Sequence, residues 1–171
     1  IENESVEDRH KIISLLVNLA LGYEEEYLPE GINPEKLRNE LIESEANMAY
    51  TQRKNCEEYG YSNAALIKCY DFVKEGIPIL VECLQSEDER IRKTSLYAIS
   101  WFPEEAEISI PKLFEILNQI EGELGIANAI LAIGLLNKQS EKEFDLSSIN
   151  YYLNSNSELI RISSAIALAK S

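Results

Sequence analysis

The segment IPILVECLQ, residues 77–85, decides the fold, because it returns 33 residues later as IPKLFEILN, residues 110–118. A third and weaker copy, LSSINYYLN, covers residues 146–154. Self-similarity with a period in the thirties is typical of helical repeats that stack into a solenoid. The sequence therefore predicts an extended surface built from repeated helices rather than one enclosed pocket.

Both strong copies have the apolar spacing of an amphipathic helix. Ile77, Leu80, Val81 and Leu84 fall at positions i, i+3, i+4 and i+7 of the first copy. Such spacing predicts a single buried stripe along the helix. The matching residues of the second copy are Ile110, Leu113, Phe114 and Leu117.

A proline follows the first isoleucine of each strong copy. Pro78 and Pro111 predict that each helix begins just before its proline, because the first turn of a helix does not need the missing N–H group. Gly76 is expected to end the preceding helix.

A second kind of helix alternates with the proline-containing one. The polar turn SEDE (86–89) leads into IRKTSLYAI (91–99), and 69 residues later SNSE (155–158) leads into IRISSAIAL (160–168). Each repeat unit is therefore predicted to contain a first helix, a short turn and a second helix that carries the proline motif.

Small residues recur in the first helix of each unit. Ala132, in the intervening unit over residues 125–134, corresponds to Ala98 and Ala167 in the flanking units. Alanine at one position of successive helices predicts that these helices approach one another closely.

The period fades upstream of residue 60, where only local signals predict helices. Asn33 followed by Pro34 is a strong helix start, because asparagine caps a helix and proline fits its first turn. The predicted helices cover residues 6–21 (with Ser5 as N-cap), 34–42, 48–59 and 63–75, and residues 22–33 form a loop. No β-strand is predicted.

We therefore predict one all-α domain over residues 1–171, with an irregular helical part over 1–60 and repeats over 61–171. We expect the natural chain to continue beyond Ser171, because a repeat helix without a following partner leaves an apolar face uncovered.

Composition limits the classes of partner. The chain has 30 acidic and 16 basic residues and a formal net charge of -14. Such a charge repels phosphate backbones and anionic lipid, so we expect no nucleic acid and no membrane, and it favours a basic protein partner. The three cysteines are widely spaced and predict neither a disulfide framework nor a zinc site. We expect a cytoplasmic protein.

The repeated residues resemble the HEAT-like repeat family, in the short bacterial form related to phycobilisome-lyase-type repeats. The resemblance covers residues 62–171 and is carried by the polar turn, the Ile-Arg and Ala-Ile steps of the first helix and the Ile-Pro-x-Leu start of the second. It implies a right-handed α-α superhelix whose second helices line a concave face, and protein binding as the role. The middle unit departs from the pattern, since Ile126 stands where Arg92 and Arg161 stand in its neighbours.

No residue pattern points to catalysis. His10 is the only histidine, which excludes a histidine-based triad or a multi-histidine metal site. The acidic runs fall in predicted turns without the alternating ligands of a calcium loop. We expect no cofactor, no metal and no enzymatic activity. Two alternatives stay open: an enzyme like the HEAT-like DNA glycosylases, and an accessory subunit of an enzyme or chromophore system.

The predicted partner-binding residues lie on the polar sides of the second helices. The resemblance places a ligand on this face, and Tyr151 is expected to be exposed because the adjacent Tyr152 takes the buried position. Trp101 and Phe102 are expected to seal the gap between helix layers. The predicted partner-binding residues are Glu82, Gln85, Lys112, Glu115, Gln119, Asn150, Tyr151 and Asn154.

Overall fold

A computed structural model describes residues 8–21, 30–49, 52 and 63–169, and within these ranges the chain is helical and forms no β-strand. The prediction of an all-α protein is therefore confirmed for the described residues. The helices are α1 (Arg9–Leu21), α2 (Pro34–Asn47), α3 (Asn63–Glu75), α4 (Ile77–Cys83), α5 (Glu89–Ile99), α6 (Ala106–Leu117), α7 (Glu123–Gln139) and α8 (Glu158–Ala169), with 3₁₀ helices η1 (Pro103–Glu105) and η2 (Ser147–Asn154).

Five helices form one row of spatial neighbours, in the order α3, α1, α5, α7 and α8. The N-terminal helix α1 packs against both α3 and α5, so it lies between two helices that follow each other in the repeats. Residues Ile13 and Val17 of α1 are fully buried in this position. Helix α1 therefore lies between the first helices of two successive repeat units, α3 and α5. The period of the sequence does not indicate this arrangement.

The helices formed by the three copies of the repeated segment each pack on the helix that follows them. Helix α4 packs on α5, α6 on α7, and η2 on α8, while α4 and α6 also contact each other. A short turn joins the two members of each pair. These three turns lie at equivalent places in the repeats and shape the site described below.

The buried stripes predicted for the two strong copies are present. Leu80 and Leu113 are 3% and 0% exposed, and Val81 and Phe114 pack against the core while partly exposed. Trp101 and Phe102, just after α5, are 2% and 0% exposed, so both are buried in the core.

The prediction for Pro78 is confirmed, but the prediction for Pro111 is wrong. Pro78 lies in the first turn of α4, and this helix begins directly after Gly76. Pro111 lies inside α6, because that helix already begins at Ala106. Ala106 and Ile110 are buried, and the packing of these early turns stabilises a helix through a residue that would otherwise break it.

The third copy forms a 3₁₀ helix rather than an α-helix. Its polar residues bond to nearby backbone groups: the Asn150 side chain donates to the Ser147 carbonyl at 2.9 Å, and the Ser147 N–H donates to Asp145 at 2.8 Å. Local bonds of this kind compete with the α-helical pattern. Ile149 is nevertheless fully buried, so the copy keeps its place in the core.

The N-terminal predictions are borne out in part where the structure describes them, since α1 and α2 are present but the helix predicted from Met48 does not begin at that residue. Asn33 caps α2 by accepting a hydrogen bond from the Lys36 N–H at 2.8 Å. Met48 follows the last residue of α2 and has an extended conformation, so the prediction that a helix begins at Met48 is wrong. Ser5, residues 22–29 and most of the predicted helix over 48–59 lie outside the described residues.

Helices α7 and α8 approach each other closely at Gly134. A Cβ atom built on Gly134 would lie 2.7 Å from Cα and 2.8 Å from Cβ of Ala167. Ala167 is one of the three predicted alanines, and Ala98 and Ala132 are buried like it. Small side chains therefore let the backbones of neighbouring helices come together.

Candidate functional site

Four of the eight predicted partner-binding residues meet on the surface of α4 and α6, and we call them the α4–α6 stripe: Gln85, Lys112, Glu115 and Gln119. The Gln85 amide donates to Glu115 Oε1 at 3.4 Å, and Lys112 Nζ lies 2.8 Å from Glu115 Oε2. The Gln119 amide donates to the Glu115 carbonyl at 3.4 Å. Glu115 therefore lies at the centre of a polar network that spans two repeats.

The other four predicted residues are exposed but separate from this network. Glu82 lies on α4, and Asn150, Tyr151 and Asn154 lie on η2. Tyr151 is 80% exposed, as predicted. Its neighbour Tyr152 is half-buried rather than buried and donates a hydrogen bond to Asn118 Oδ1 at 3.3 Å.

A groove of about 610 Å³ opens beside the stripe, between the α4–α5 turn and the α6–α7 turn. Its floor is aliphatic and consists of Leu84, Leu96, Ile116 and Ile120. Gln85 and Gln119 line its rim, so the stripe continues into the groove. The stripe was predicted from the helical pattern, whereas the groove was not.

Charged side chains line the rim of the groove. Lys93 pairs with Glu89 at 2.6 Å, and Arg92 is directed at backbone carbonyls, as described next. Among the described residues, the carboxylates of Glu87 and Glu121 have no ion-pair partner. The rim therefore offers two exposed acidic groups above an apolar floor.

Two of the three repeat turns are held by what we call an arginine clasp. Arg92 Nη1 donates to the carbonyls of Ser86 and Glu87 at 2.6 and 2.9 Å. Arg161 Nη1 donates to the carbonyls of Ser155 and Asn156 at 2.8 and 3.1 Å.

A serine supports each clasped turn as well. The Oγ atoms of Ser86 and Ser155 accept the N–H group two residues later, at 3.3 and 3.2 Å. The two turns thus repeat one set of hydrogen bonds at an offset of 69 residues.

The middle turn, between α6 and α7, has a different construction. Ile126 stands in place of the arginine and Ile120 in place of the serine, and both pack against the core. Gly122, with φ 84°, replaces the capping residue, in a backbone region that favours glycine. The groove lies where this apolar turn faces the clasped turn before it.

A second polar cluster joins the N-terminal part to the repeats. Arg38 Nη2 lies 2.6 Å from Asp71 and 3.0 Å from Glu104, and Lys74 Nζ lies 3.2 Å from the same Glu104 oxygen. Tyr70 donates to the other Glu104 oxygen at 2.8 Å. Burial, together with the charge of Glu104, raises the pKa of the Tyr70 phenol well above its ordinary value. Residues of α2, α3 and η1 are thereby held together, which is a structural role.

Other chemistry is not evident in the part of the chain that the structure describes. No three His, Cys, Asp or Glu side chains there are placed to hold a metal ion. His10 is half-buried on α1, where its carbonyl accepts a hydrogen bond from Ser14. None of the described helices combines the length and the apolar character that crossing a membrane requires.

Comparisons with protein-family models, curated proteins and solved structures found no match to this chain. The resemblance to HEAT-like repeats therefore stays a prediction that rests on the repeated residues.

Proposed function

We propose that this chain is a non-enzymatic interaction module whose helices stack as a right-handed HEAT-like solenoid. It binds a protein partner on the α4–α6 stripe and in the groove beside it. The free thiols of Cys69 and Cys83 are compatible with the cytoplasmic location that we expect.

The observation that carries the proposal is the continuity of the stripe with the groove. Gln85 and Gln119 belong to both, so a polar network adjoins an apolar floor on one surface. Protein interfaces combine an apolar centre with a polar rim in this way. The volume of about 610 Å³ also falls in the range of natural binding clefts.

The charge of this surface favours protein over nucleic acid. Lys112 is the one lysine of the stripe, and its pairing with Glu115 at 2.8 Å removes its charge from any phosphate contact. A DNA glycosylase needs a basic face for the phosphate backbone, so we do not propose that alternative.

Site-specific photo-crosslinking tests the proposal. A photoreactive phenylalanine analogue at Gln119 should give a defined adduct with the partner in cells that express the chain. The same analogue at Phe72, 70% exposed on α3, should not give that adduct. Equal adducts at both positions would contradict the proposed surface.

Binding of the recovered partner is then measured with purified variants. Glu115→Ala combined with Gln119→Ala should weaken binding about tenfold, because the central acceptor of the network and a rim residue are lost. The control is Glu43→Ala, an exposed residue of α2, which should leave binding unchanged. If both variants bind like the wild type, the stripe is not the binding surface.

A further inference from the structure

The middle turn contributes Ile120 to the apolar floor of the groove. In the clasped turns, an arginine and a serine satisfy the turn with hydrogen bonds, whereas Ile120 and Ile126 take those positions in the middle turn. A Cβ atom on Gly125 would lie 2.5 Å from the Cγ2 atom of Ile120. The missing Cβ therefore lets Ile120, which is part of the groove floor, lie close against α7.

The same place has an excess of negative charge. The two cations of the rim are engaged, Lys93 with Glu89 and Arg92 with carbonyl groups. The carboxylates of Glu87 and Glu121 are exposed, and no ion pair among the described residues neutralises them. An occupant that brings positive charge to the rim would therefore be favoured over one that brings negative charge.

We propose that the groove binds a peptide segment of a partner protein in which a large apolar side chain is flanked by arginine or lysine. The apolar side chain covers Ile120 and Leu96, and the basic residues face Glu87 and Glu121. This inference rests on the proposed function and names the chemistry of the partner at that surface.

A set of fluorescent nonapeptides tests the specificity by anisotropy titration of the purified chain. The first peptides have a central Leu or Phe between Arg or Lys residues. The second set replaces the basic residues by Glu, and the third replaces the central residue by Ala. We expect the first set to bind at least tenfold more tightly than either of the others. Equal binding by the acidic set, or by the alanine set, would overturn the proposal.

Variants of the chain locate the binding. Glu87→Gln with Glu121→Gln should lower the affinity for the best peptide about tenfold and reduce its dependence on salt, since two charge contacts are lost. Ile120→Ser, which introduces the residue type of the clasped turns, should lower the affinity at least fivefold. The matched charge control is Glu43→Gln with Glu75→Gln; both residues are exposed and neither lines the groove, so this variant should bind like the wild type.

The two proposals can fail separately. If the partner is crosslinked at Gln119 but the basic apolar peptides do not bind, the inference about the groove is wrong and the interaction surface remains. If a single-stranded oligonucleotide binds more tightly than every peptide, the proposed occupant is also wrong. If neither a partner nor a peptide depends on the stripe or the groove, the proposed function fails as well.

Discussion

Replacing Gly134 by alanine should destabilise this protein, although the same change in most helices stabilises them. The added Cβ would lie 2.7 Å from Cα and 2.8 Å from Cβ of Ala167. Carbon atoms pack best at about 3.5–4.0 Å, so the contact would be too short by about 1 Å. Because Cα of Ala167 belongs to the backbone, no side-chain rotation relieves the contact, and α7 and α8 must move apart.

The sign of the effect follows from two magnitudes. Alanine in place of a helical glycine favours folding by about 1 kcal/mol. Forcing an extra carbon into a well-packed interface costs about 1–3 kcal/mol. A shift of α8 also loosens Ile160, which is 5% exposed and packs in the same core. The cost exceeds the gain over most of this range, so we expect a net loss of up to about 2 kcal/mol and a fall in melting temperature of up to about 8 °C.

Urea unfolding, followed by circular dichroism and by the fluorescence of the single tryptophan, measures this loss. Gly125→Ala is the comparison variant in the same helix, because its Cβ would meet only the Ile120 side chain, 2.5 Å from Cγ2, and no backbone atom. A shift of one half-exposed side chain costs less than moving two helices apart, so we expect Gly125→Ala to lose less stability than Gly134→Ala. If Gly134→Ala is as stable as Gly125→Ala, the close approach of α7 and α8 is wrong.

Three further changes test other parts of the structure by urea unfolding. Burial raises the pKa of the Tyr70 phenol above its ordinary value of 10.0. Tyr70 therefore contributes stability that is fully present below pH 10 and is lost as the pH rises above it. Between pH 9 and pH 11, the Tyr70→Phe variant should lose less stability than the wild type. Hydrogen bonds from the Arg90 side chain and backbone lower the pKa of Asp88 to about 2. The stability that Asp88 contributes is therefore present above its ordinary pKa of 3.8 and is lost as the pH falls towards 2. Asp88→Asn should remove this loss of stability in acid, and an Asp88 titration midpoint near 4 by NMR would contradict the prediction. Arg161→Gln should lower the free energy of unfolding by about 0.5–1 kcal/mol, because the hydrogen bonds of its clasp are lost. The exposed control Lys93→Gln should lower it by less than about 0.5 kcal/mol. Equal effects of the two changes would argue against the clasp.

The repeated core could be predicted because its signals are local. The spacing of Ile77, Leu80 and Leu84 places them on one helical face wherever the helix packs, and all three are buried. Local signals could not predict where a helix begins when packing extends it. Pro111 predicts a helix start, but the burial of Ala106 extends α6 past it towards the N-terminus.

Contacts between distant segments could not be predicted from periodicity. Arg38 pairs with Asp71, 33 residues away, and with Glu104, 66 residues away. Nothing in the local pattern of α1 indicates that it packs between α3 and α5, because a buried stripe defines a face and not its partner. The groove is similar, since it needs two turns that are adjacent only in space. Its one sequence signal was the replacement of the clasp arginine by Ile126.

The apolar floor and the two rim carboxylates of the groove differ in the free energy that each can contribute to binding. Covering a large apolar side chain contributes about 1.5–3 kcal/mol. An exposed charge pair at Glu87 or Glu121 contributes about 0.2–1 kcal/mol. In the proposed complex, the apolar floor would therefore provide most of the affinity, while the two carboxylates would discriminate between partners through repulsion of acidic segments. The clasped turn contributes Glu87 and the middle turn contributes Ile120 and Glu121, so the proposed specificity depends on both turns and on the replacement of a turn serine by Ile120 in the middle one.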